Sequence, residues 1–235
     1  IGKSIIQKFA AEGAQIFACA RTKSNSFEEF LAELAESTDA KITPIYFDMN
    51  DSDAMLQSIK YIKSLKVKID ILVNNAGTAA TKPFEHIESG YWQSDLDLKL
   101  FGAIHCSKFA ISSMRANGGG SIVNVTAVIA KAPPASSMPT TVSRAAGLAL
   151  TKAMSHDLGP SNIRVNTVCI GLIRSDLIEK RWKAEEPTLT WAQYSEKIGE
   201  SIPLKRIGNA QEAANAIVFL SSPAASYITG TAVNI

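Results

Sequence analysis

The 235-residue sequence predicts an α/β fold in which a parallel sheet is covered by helices on both faces. Short β-rich apolar runs alternate with longer segments of helical periodicity along the whole chain. Apolar residues make up 46% of the sequence, which is enough for one sizeable core, and no internal repeat or low-complexity tract divides it. We therefore expect a single domain with three layers, α/β/α.

The elements are predicted in order from their periodicity. The first helix carries an apolar stripe of Ile5, Ile6, Phe9 and Ala10, and Gly13 ends it. Strands are predicted at residues 15–20, 42–47, 69–73, 121–126 and 164–170. Further helices are predicted at residues 27–37, 91–117, 141–158 and 209–220.

Glycine, proline and capping residues mark the ends of the later helices. The run Gly118–Gly120 breaks the long helix, and Gly159-Pro160 stops the next one. The last helix begins at Asn209 with Glu212 three residues on, the spacing of a capping box. Residues 173–201 are irregular, amphipathic and rich in tryptophan and charge, so this segment is the candidate for a lid.

Composition excludes several classes of partner. The formal net charge is +2 with no long run of one sign, which argues against nucleic acid and anionic membranes. No apolar stretch approaches the roughly twenty residues that cross a bilayer, and the first residues do not read as a signal peptide. Three cysteines, Cys19, Cys106 and Cys169, lie in apolar runs without metal-ligand spacing. We expect buried thiols in a reduced, cytoplasmic protein without a metal site.

Four motifs in order carry a resemblance to a known family. They are Asn74-Asn75-Ala76-Gly77, Ser121-Ile122-Val123-Asn124-Val125, Arg164-Val165-Asn166-Thr167-Val168 and Tyr227-Ile228-Thr229-Gly230. Together they resemble the short-chain dehydrogenase/reductase family over essentially the whole chain. The resemblance implies a Rossmann-type doubly wound sheet that binds a nicotinamide dinucleotide.

The family opens with a strand and a glycine-rich turn of the form TGxxxGIG, of which Ile1 and Gly2 match only the end. Glycines there let the backbone approach the cofactor pyrophosphate at the helix N-terminus, so the resemblance assigns Ile1 and Gly2 to the cofactor. The absent strand would lie between strands 15–20 and 69–73, and Val233–Ile235 stops before the family's final turn. We therefore expect a longer polypeptide. The alternative is a protein that lacks this strand and leaves two sheet edges unpaired.

Residues after the second and third strands bear on the type of cofactor. Ala20 stands where an acidic residue would bind the ribose of NAD(H), and Arg21 and Lys23 follow it. An arginine there accommodates the 2′-phosphate of NADP(H), which is favoured over NAD(H). The alternative is that Arg21 and Lys23 are ordinary solvated charges. By resemblance Asp48 lies beside the adenine.

Two further segments are assigned to the cofactor by resemblance. Asn75, Ala76 and Gly77 form the turn against the adenosine and the nearby ribose. Gly171 permits a close approach to the nicotinamide, and Ile173 and Ser175 match the segment that holds its carboxamide.

The family's catalytic positions are all substituted. Matching the active-site helix places Thr140 at the tyrosine and Arg144 at the lysine, which also holds the cofactor ribose. The serine position falls on Ala127, with Thr126 adjacent, and the asparagine position falls on Asp97. An aliphatic hydroxyl is a far weaker acid than a phenol, and arginine keeps its proton at working pH. Cofactor binding is therefore predicted to survive where the usual proton donor is missing.

Other groups could supply the proton. Tyr194 lies in the lid segment with Trp182 and Trp191, and could reach over the nicotinamide. Packing of these aromatic rings onto the core or a neighbouring subunit is the favoured interpretation. We interpret His105 and His156 as interface or solvated helix residues rather than bases.

Two classes of function follow. The first is an NADP(H)-dependent oxidoreductase acting on a carbonyl or hydroxyl small molecule, with a proton supplied by water, Thr126, Thr140 or a lid residue. The second is a catalytically silent nucleotide-binding protein of the same fold. By resemblance, the helices 91–117 and 141–158 form the interface of a homodimer or homotetramer. The sequence carries no code for the substrate.

Overall fold

The computed structural model describes residues 1–235 except for the side chain of residue 52. Its helices are α1 (Gly2–Ala11), α2 (Asn25–Thr38), α3 (Ser52–Ser64), α4 (Ser89–Leu96), α5 (Gly102–Ala116), α6 (Thr140–Leu158), α7 (Asp176–Glu185), α8 (Trp191–Gly199) and α9 (Ala210–Ser221). Its strands are β1 (Ile16–Ala20), β2 (Ile42–Tyr46), β3 (Ile71–Asn74), β4 (Thr81–Lys82), β5 (Gly120–Ala127), β6 (Met138–Pro139), β7 (Ile163–Ile170) and β8 (Ala232–Asn234).

The principal strands are parallel, as the sequence predicts. Strands β3, β5, β7 and β8 form one sheet in that order, and β1 and β2 form a second parallel pair. Strand β1 is an edge strand of the two-stranded sheet, and β3 is an edge strand of the four-stranded sheet. A short antiparallel pair, β4 with β6, joins the loop after β3 to the start of α6.

Two apolar clusters hold helices on opposite faces of the four-stranded sheet, which confirms the three-layer prediction. Adjacent residues Ile122 and Val123 of β5 belong to different clusters because side chains alternate across a strand. The first cluster joins α1 and α9 to the sheet through Ile5, Val123, Val168, Ala214, Ile217 and Leu220. The second joins α5 and α6 through Ala110, Met114, Ile122, Leu158, Ile163 and Val165. Burial of each large aliphatic side chain contributes roughly 1.5–3 kcal/mol.

The structure adds one helix to the prediction and refines another. Helix α3 is an addition, capped by Asp51, whose carboxylate accepts from the backbone N–H groups of Asp53 and Ala54 at 3.1 and 2.9 Å. The predicted long helix 91–117 is α4 and α5 joined by a π-helical segment, Asp97–Phe101, because the chain inserts an extra residue in that turn.

The lid segment is not irregular. It contains α7 and α8, and Thr190 with Gln193 forms a capping box at the start of α8. The capping box predicted at Asn209 and Glu212 is confirmed at the start of α9. Among the residues searched, no helix combines the length and the apolar character that crossing a bilayer requires.

Candidate functional site

The site lies at the edge of the sheet where the parallel strands end. Helix α1 begins at Gly2, beside the end of β3, and a Cβ on Gly2 would lie 3.2 Å from Asn75 Nδ2. The first N–H groups of α1 have no acceptor within the helix and face this edge with the positive end of the helix dipole. Ile1 precedes the helix as its N-cap residue. The predicted positions Ile1, Gly2 and Asn75 are thus brought together.

The turn after β3 is fixed to the sheet by an amide network. Asn74 Nδ2 donates to Asn124 Oδ1 at 2.8 Å and to Ser107 Oγ at 3.3 Å. Asn124 Nδ2 in turn donates to Thr151 Oγ1 on α6 at 2.8 Å. Asn74 is therefore the residue that ties β3 to β5, which leaves Asn75, Ala76 and Gly77 as the exposed part of the turn.

Gly77 packs against two cationic side chains. A Cβ at this position would lie 3.4 Å from Arg144 Nη2 and 3.8 Å from Lys99 Cε. Burial lowers the pKa of the Arg144 guanidinium, and the Asp95 carboxylate opposes that change. Arginine remains charged at any working pH despite such a change. The turn after β3 and Arg144, which were assigned to the cofactor separately, thus lie against one another.

A buried polar network lies next to this turn. Lys99 Nζ donates to Thr140 Oγ1 at 2.8 Å and pairs with Asp95 Oδ1. Ser143 Oγ donates to Asp95 Oδ2 at 2.6 Å. The side chains of Lys99 and Asp95 are 4% and 3% exposed, and Thr140 is 1% exposed. The network therefore contains an ion pair that is almost wholly removed from water.

Three elements bring these residues together. Asp95 lies in the last turn of α4, and Lys99 lies in the π-helical segment that follows. Thr140 and Ser143 lie in the first turn of α6. The start of α6 is held to the loop after β3, because Thr140 N donates to Ala80 O at 3.1 Å. π-Helical turns are frequent at functional sites. This one places Lys99 opposite Thr140 on α6.

The charges of the network oppose one another. Burial lowers the pKa of the Lys99 ammonium, while its hydrogen bond and attraction to Asp95 raise it and Arg144 lowers it further. The net direction is downward because desolvation is the largest effect. The network therefore holds an ammonium that releases its proton more readily than an exposed lysine does.

Two predicted catalytic positions are not part of this network. The assignment of the asparagine position to Asp97 stays a prediction: Asp97 accepts from Gln93 Nε2 at 2.7 Å on the exposed side, whereas Lys99 is the residue of this segment that contacts Thr140. Thr126 is 5% exposed and donates to Cys169 Sγ at 3.4 Å within the sheet. Among the described residues, no hydrogen bond joins Thr126 to Thr140.

Basic and acidic residues follow β1 and β2 as predicted. Arg21 is exposed directly after β1, and Lys23 pairs with Glu28 of α2 at 3.1 Å. Asp48 Oδ1 accepts from the backbone N–H of Asn50 at 2.9 Å, which shapes the loop after β2. Of the two predicted cations, Arg21 is the one without an ion pair among the described residues.

The segment after β7 has structural roles of its own. Gly171 N donates to Ile235 O at 2.7 Å, and a Cβ on Gly171 would lie 2.7 Å from that oxygen. Ile173 is 5% exposed and pairs with Gly208 through its backbone. Ser175 caps α7 by accepting from Ile178 N. These contacts fix the course of the segment, and its contact with a nicotinamide stays a prediction.

The aromatic residues of the lid pack on one another. Ring centroids of Trp182, Trp191 and Tyr194 lie 5.5 to 6.4 Å apart, and Tyr194 is 1% exposed. Tyr194 is thus a core residue of the lid, in agreement with the favoured interpretation. His105 and His156 are exposed on α5 and α6.

The residues at this edge fit a dinucleotide. Side-chain atoms are absent at Gly2 and Gly77, where a Cβ would contact Asn75 and Arg144 respectively. The N-terminus of α1 suits a pyrophosphate, and the Arg144 guanidinium suits ribose hydroxyls. Among the residues searched, no group of three His, Cys, Asp or Glu side chains could hold a metal ion.

Sequence reasoning missed Lys99, Asp95 and Ser143. A signal was present, since Asp95 and Lys99 are opposite charges four residues apart on a helix, where they face the same side. The side chain of residues 97–101 that contacts Thr140 is determined by the π-helical segment. No pattern in the sequence predicts this segment.

Comparisons with known proteins agree with this geometry. A family model described as enoyl-(acyl carrier protein) reductase matches residues 1–235. A 3α-hydroxysteroid dehydrogenase of Mediterraneibacter gnavus is 32% identical over 98% of this chain and 88% of its own length. The crystal structure of L-sorbose reductase from Gluconobacter frateurii complexed with NADPH and L-sorbose is 28% identical with a TM-score of 0.91, covering 99% of this chain and 89% of the reductase.

A second solved structure also resembles this chain. It is the apo structure of a short-chain oxidoreductase from Pseudomonas aeruginosa PAO1 described as containing an atypical catalytic center. It is 28% identical with a TM-score of 0.92, covering 99% of this chain and 90% of the other.

Proposed function

This chain belongs to the short-chain dehydrogenase/reductase family, and from that premise we propose that it is an NADP(H)-dependent oxidoreductase with an atypical active site. Its substrate is a small molecule with a carbonyl or a hydroxyl group. The observation that carries the proposal is the contact of the Gly77 turn with Arg144. Arg144 replaces the family's lysine, so a positive charge is still present next to the turn assigned to the cofactor.

The chain's own residues divide the work of binding. Ile1, Gly2 and the N-terminus of α1 take the pyrophosphate, Asp48 and the turn at 75–77 take the adenosine side, and Arg144 grips ribose hydroxyls. When bound, the cofactor supplies or accepts the hydride, so the protein's task is to orient the substrate and to move a proton. Residues 173–201 close over the site as a lid and hold the nicotinamide end through Ile173 and Ser175.

The preference for NADP(H) is supported by charge at the end of β1. Arg21 is exposed and carries no ion pair among the described contacts, whereas Lys23 is engaged by Glu28 at 3.1 Å. A guanidinium binds a phosphate in a forked geometry that suits the 2′-phosphate of NADP(H). The L-sorbose reductase of similar structure was solved with NADPH.

The second candidate is a catalytically silent nucleotide-binding protein of the same fold. The chemistry of Thr140 favours it, because an aliphatic hydroxyl does not serve as an ordinary acid. The buried ion pair of Lys99 and Asp95 argues against this candidate. Burying two charges costs desolvation energy, and a silent protein has no evident need to retain such a pair. We propose the active enzyme on this balance.

We also propose a homodimer or homotetramer. The surfaces of α4, α5 and α6 would form its interface, as the family resemblance implies. Phe101 and Val142 on these surfaces are 42% and 44% exposed, so they offer apolar contacts to such an interface.

Binding and turnover test the function. Fluorescence titration of the purified protein should show tighter binding of NADPH than of NADH. NADPH oxidation is then followed with a ketose such as L-sorbose and with a 3-oxo steroid, chosen from the substrates named for similar proteins.

The double variant Thr140→Tyr/Arg144→Lys is the comparison for activity. Turnover by the parent protein supports the oxidoreductase. Turnover by the double variant alone supports the silent protein, and absence of binding to either nucleotide contradicts both.

A further inference from the structure

We propose that Lys99, rather than Thr140, is the catalytic acid and base of this site, delivering the proton to the substrate oxygen in reduction and removing it in oxidation. This inference rests on the proposed function. It gives the proton-transfer role to Lys99, whereas the family pattern gives that role to the tyrosine position, here Thr140.

The hydrogen bonds of the Lys99 ammonium carry the argument. One N–H donates to Thr140 Oγ1 at 2.8 Å, and another is directed at Asp95 Oδ1. An ammonium has three N–H donors, so the described contacts leave one for a further acceptor. Lys99 Cε lies 3.8 Å from where a Cβ of Gly77 would be, so this side chain reaches the turn assigned to the cofactor.

The neighbouring groups are excluded by their chemistry. Arg144 keeps its proton at any working pH, and the Thr140 hydroxyl is a very weak acid. Asp95 accepts hydrogen bonds from both Lys99 and Ser143, so each of its carboxylate oxygens is already engaged as an acceptor. Lys99 is the remaining group of this network that can both lose and regain a proton.

The surroundings also favour proton release. The charged groups that face Lys99 are Asp95 from α4 and Arg144 from α6. Burial and Arg144 lower the pKa of Lys99, and Asp95 raises it, with a net lowering. A general acid works best when its pKa lies near the operating pH, so this direction supports the role.

The proposed step is balanced as follows. In reduction, a bound nicotinamide cofactor would supply the hydride that forms the new C–H bond at the carbonyl carbon, and the π-electron pair of C=O would move onto oxygen. A Lys99 N–H bond breaks and the O–H bond of the alcohol forms, so the carbonyl is reduced and the cofactor is oxidised. Neutral Lys99 then takes a proton from solvent. Asp95 and Thr140 are positioning residues that aim the ammonium.

Lys99→Arg is the test variant, because arginine keeps the charge and the pairing with Asp95 but cannot pass a proton. We expect kcat for carbonyl reduction to fall about 100- to 10,000-fold, the usual contribution of general acid catalysis. NADPH affinity measured by fluorescence should change by no more than a few-fold. Lys60→Arg, an exposed change on α3, is the matched control and should behave as the parent.

A second readout does not depend on turnover. The lysine ¹³Cε and ¹⁵Nζ resonances of the labelled, cofactor-free protein are titrated with pH, and the Lys99 signal is identified by its loss in Lys99→Arg. We expect the pKa of Lys99 to lie below the ordinary range of a lysine side chain. Titration of Lys99 within that ordinary range would overturn the proposal.

The outcomes separate this inference from the function on which it rests. A parent protein that turns over while Lys99→Arg retains its full rate and pH profile refutes the role of Lys99 alone. A parent that binds no nucleotide or reduces no probe contradicts the proposed function, and the role of Lys99 fails with it.

Discussion

Ser143 on α6 donates its hydroxyl proton to Asp95 Oδ2 on α4 across 2.6 Å, and both side chains are buried. This bond joins α4 to α6 through two residues that are 48 positions apart in the chain. It also leaves the other carboxylate oxygen, Oδ1, for Lys99. The relationship explains how a carboxyl group is accommodated inside the protein, since each oxygen has a hydrogen-bond donor.

Loss of the serine hydroxyl should therefore be costly. We expect Ser143→Ala to lower the free energy of unfolding by about 1.5–3 kcal/mol, because a buried charged acceptor loses its donor. Urea denaturation followed by circular dichroism measures the change. Ser112→Ala removes a hydroxyl that is exposed on α5 and bonds only to its own helix, so its effect should stay within about 0.5 kcal/mol. Equal effects of the two substitutions would contradict the importance of the Ser143 bond.

The ion pair itself is tested by a double-mutant cycle. Asp95→Asn keeps the shape of the side chain but leaves the Lys99 ammonium buried without its counter-charge, which we expect to cost about 3–5 kcal/mol of stability. Adding Lys99→Met removes the stranded charge, so the double variant should be more stable than the sum of the single effects implies. Additive effects in urea denaturation would show that the two side chains are not coupled.

The fold was readable from the sequence to the extent that local pattern determines it. The parallel strands and the capping box at Asn209 follow from alternation, glycine positions and cap spacing. Helix α3 was missed because its few apolar side chains lie among charged ones, although Asp51 is a good N-cap residue. The helical structure of the lid was hidden for a similar reason, since its aromatic residues are buried against one another rather than in a regular stripe.

The site was readable only in part. Thr140 and Arg144 are found by counting along one continuous helix, where spacing is fixed. Lys99 lies beyond a π-helical turn, and such a turn changes by one residue which side chain faces a neighbouring helix. Whether Asp97 or Lys99 meets Thr140 is therefore a tertiary property that residue counting misplaces.

Restoring the family's tyrosine at position 140 should lower the stability of the fold. Thr140 is 1% exposed and its hydroxyl is held by Lys99 at 2.8 Å, so the larger phenol of Thr140→Tyr must displace the buried pair. We expect overpacking to cost about 1–3 kcal/mol in the free energy of unfolding. Thr188→Tyr, at an exposed position between α7 and α8, is the size-matched control. A variant at position 140 as stable as this control would show that the site has room for the ring.

Arg21 is predicted to decide between the two dinucleotides. We expect Arg21→Ala to raise the Kd for NADPH roughly tenfold and to leave the Kd for NADH nearly unchanged, because a charge-assisted hydrogen bond to the 2′-phosphate contributes about 1.5 kcal/mol or more. Lys23→Ala should have a smaller effect, since Glu28 already pairs with Lys23. Fluorescence titration of both nucleotides measures the change, and a parallel loss of both affinities would contradict discrimination by Arg21.

The last prediction concerns acid stability. Hydrogen bonds from the Arg206 guanidinium, and next from the backbone N–H of Asn209, lower the pKa of Glu212 to about 2. A carboxyl group whose pKa is lower in the folded than in the unfolded protein stabilises the fold above its unfolded pKa of about 4.3, and this contribution is lost as the pH falls toward 2.

Glu212→Gln should therefore reduce stability at pH 7 and make less difference at pH 2.5, where Glu212 of the parent has begun to take up its proton. Urea denaturation of parent and variant at both pH values measures the effect, which is modest because the ion pair is largely exposed. Asp53→Asn, at an exposed carboxyl on α3, controls for the general loss of negative charge. A stability difference between parent and Glu212→Gln that is the same at both pH values would show that the Glu212 carboxylate does not couple folding to protonation.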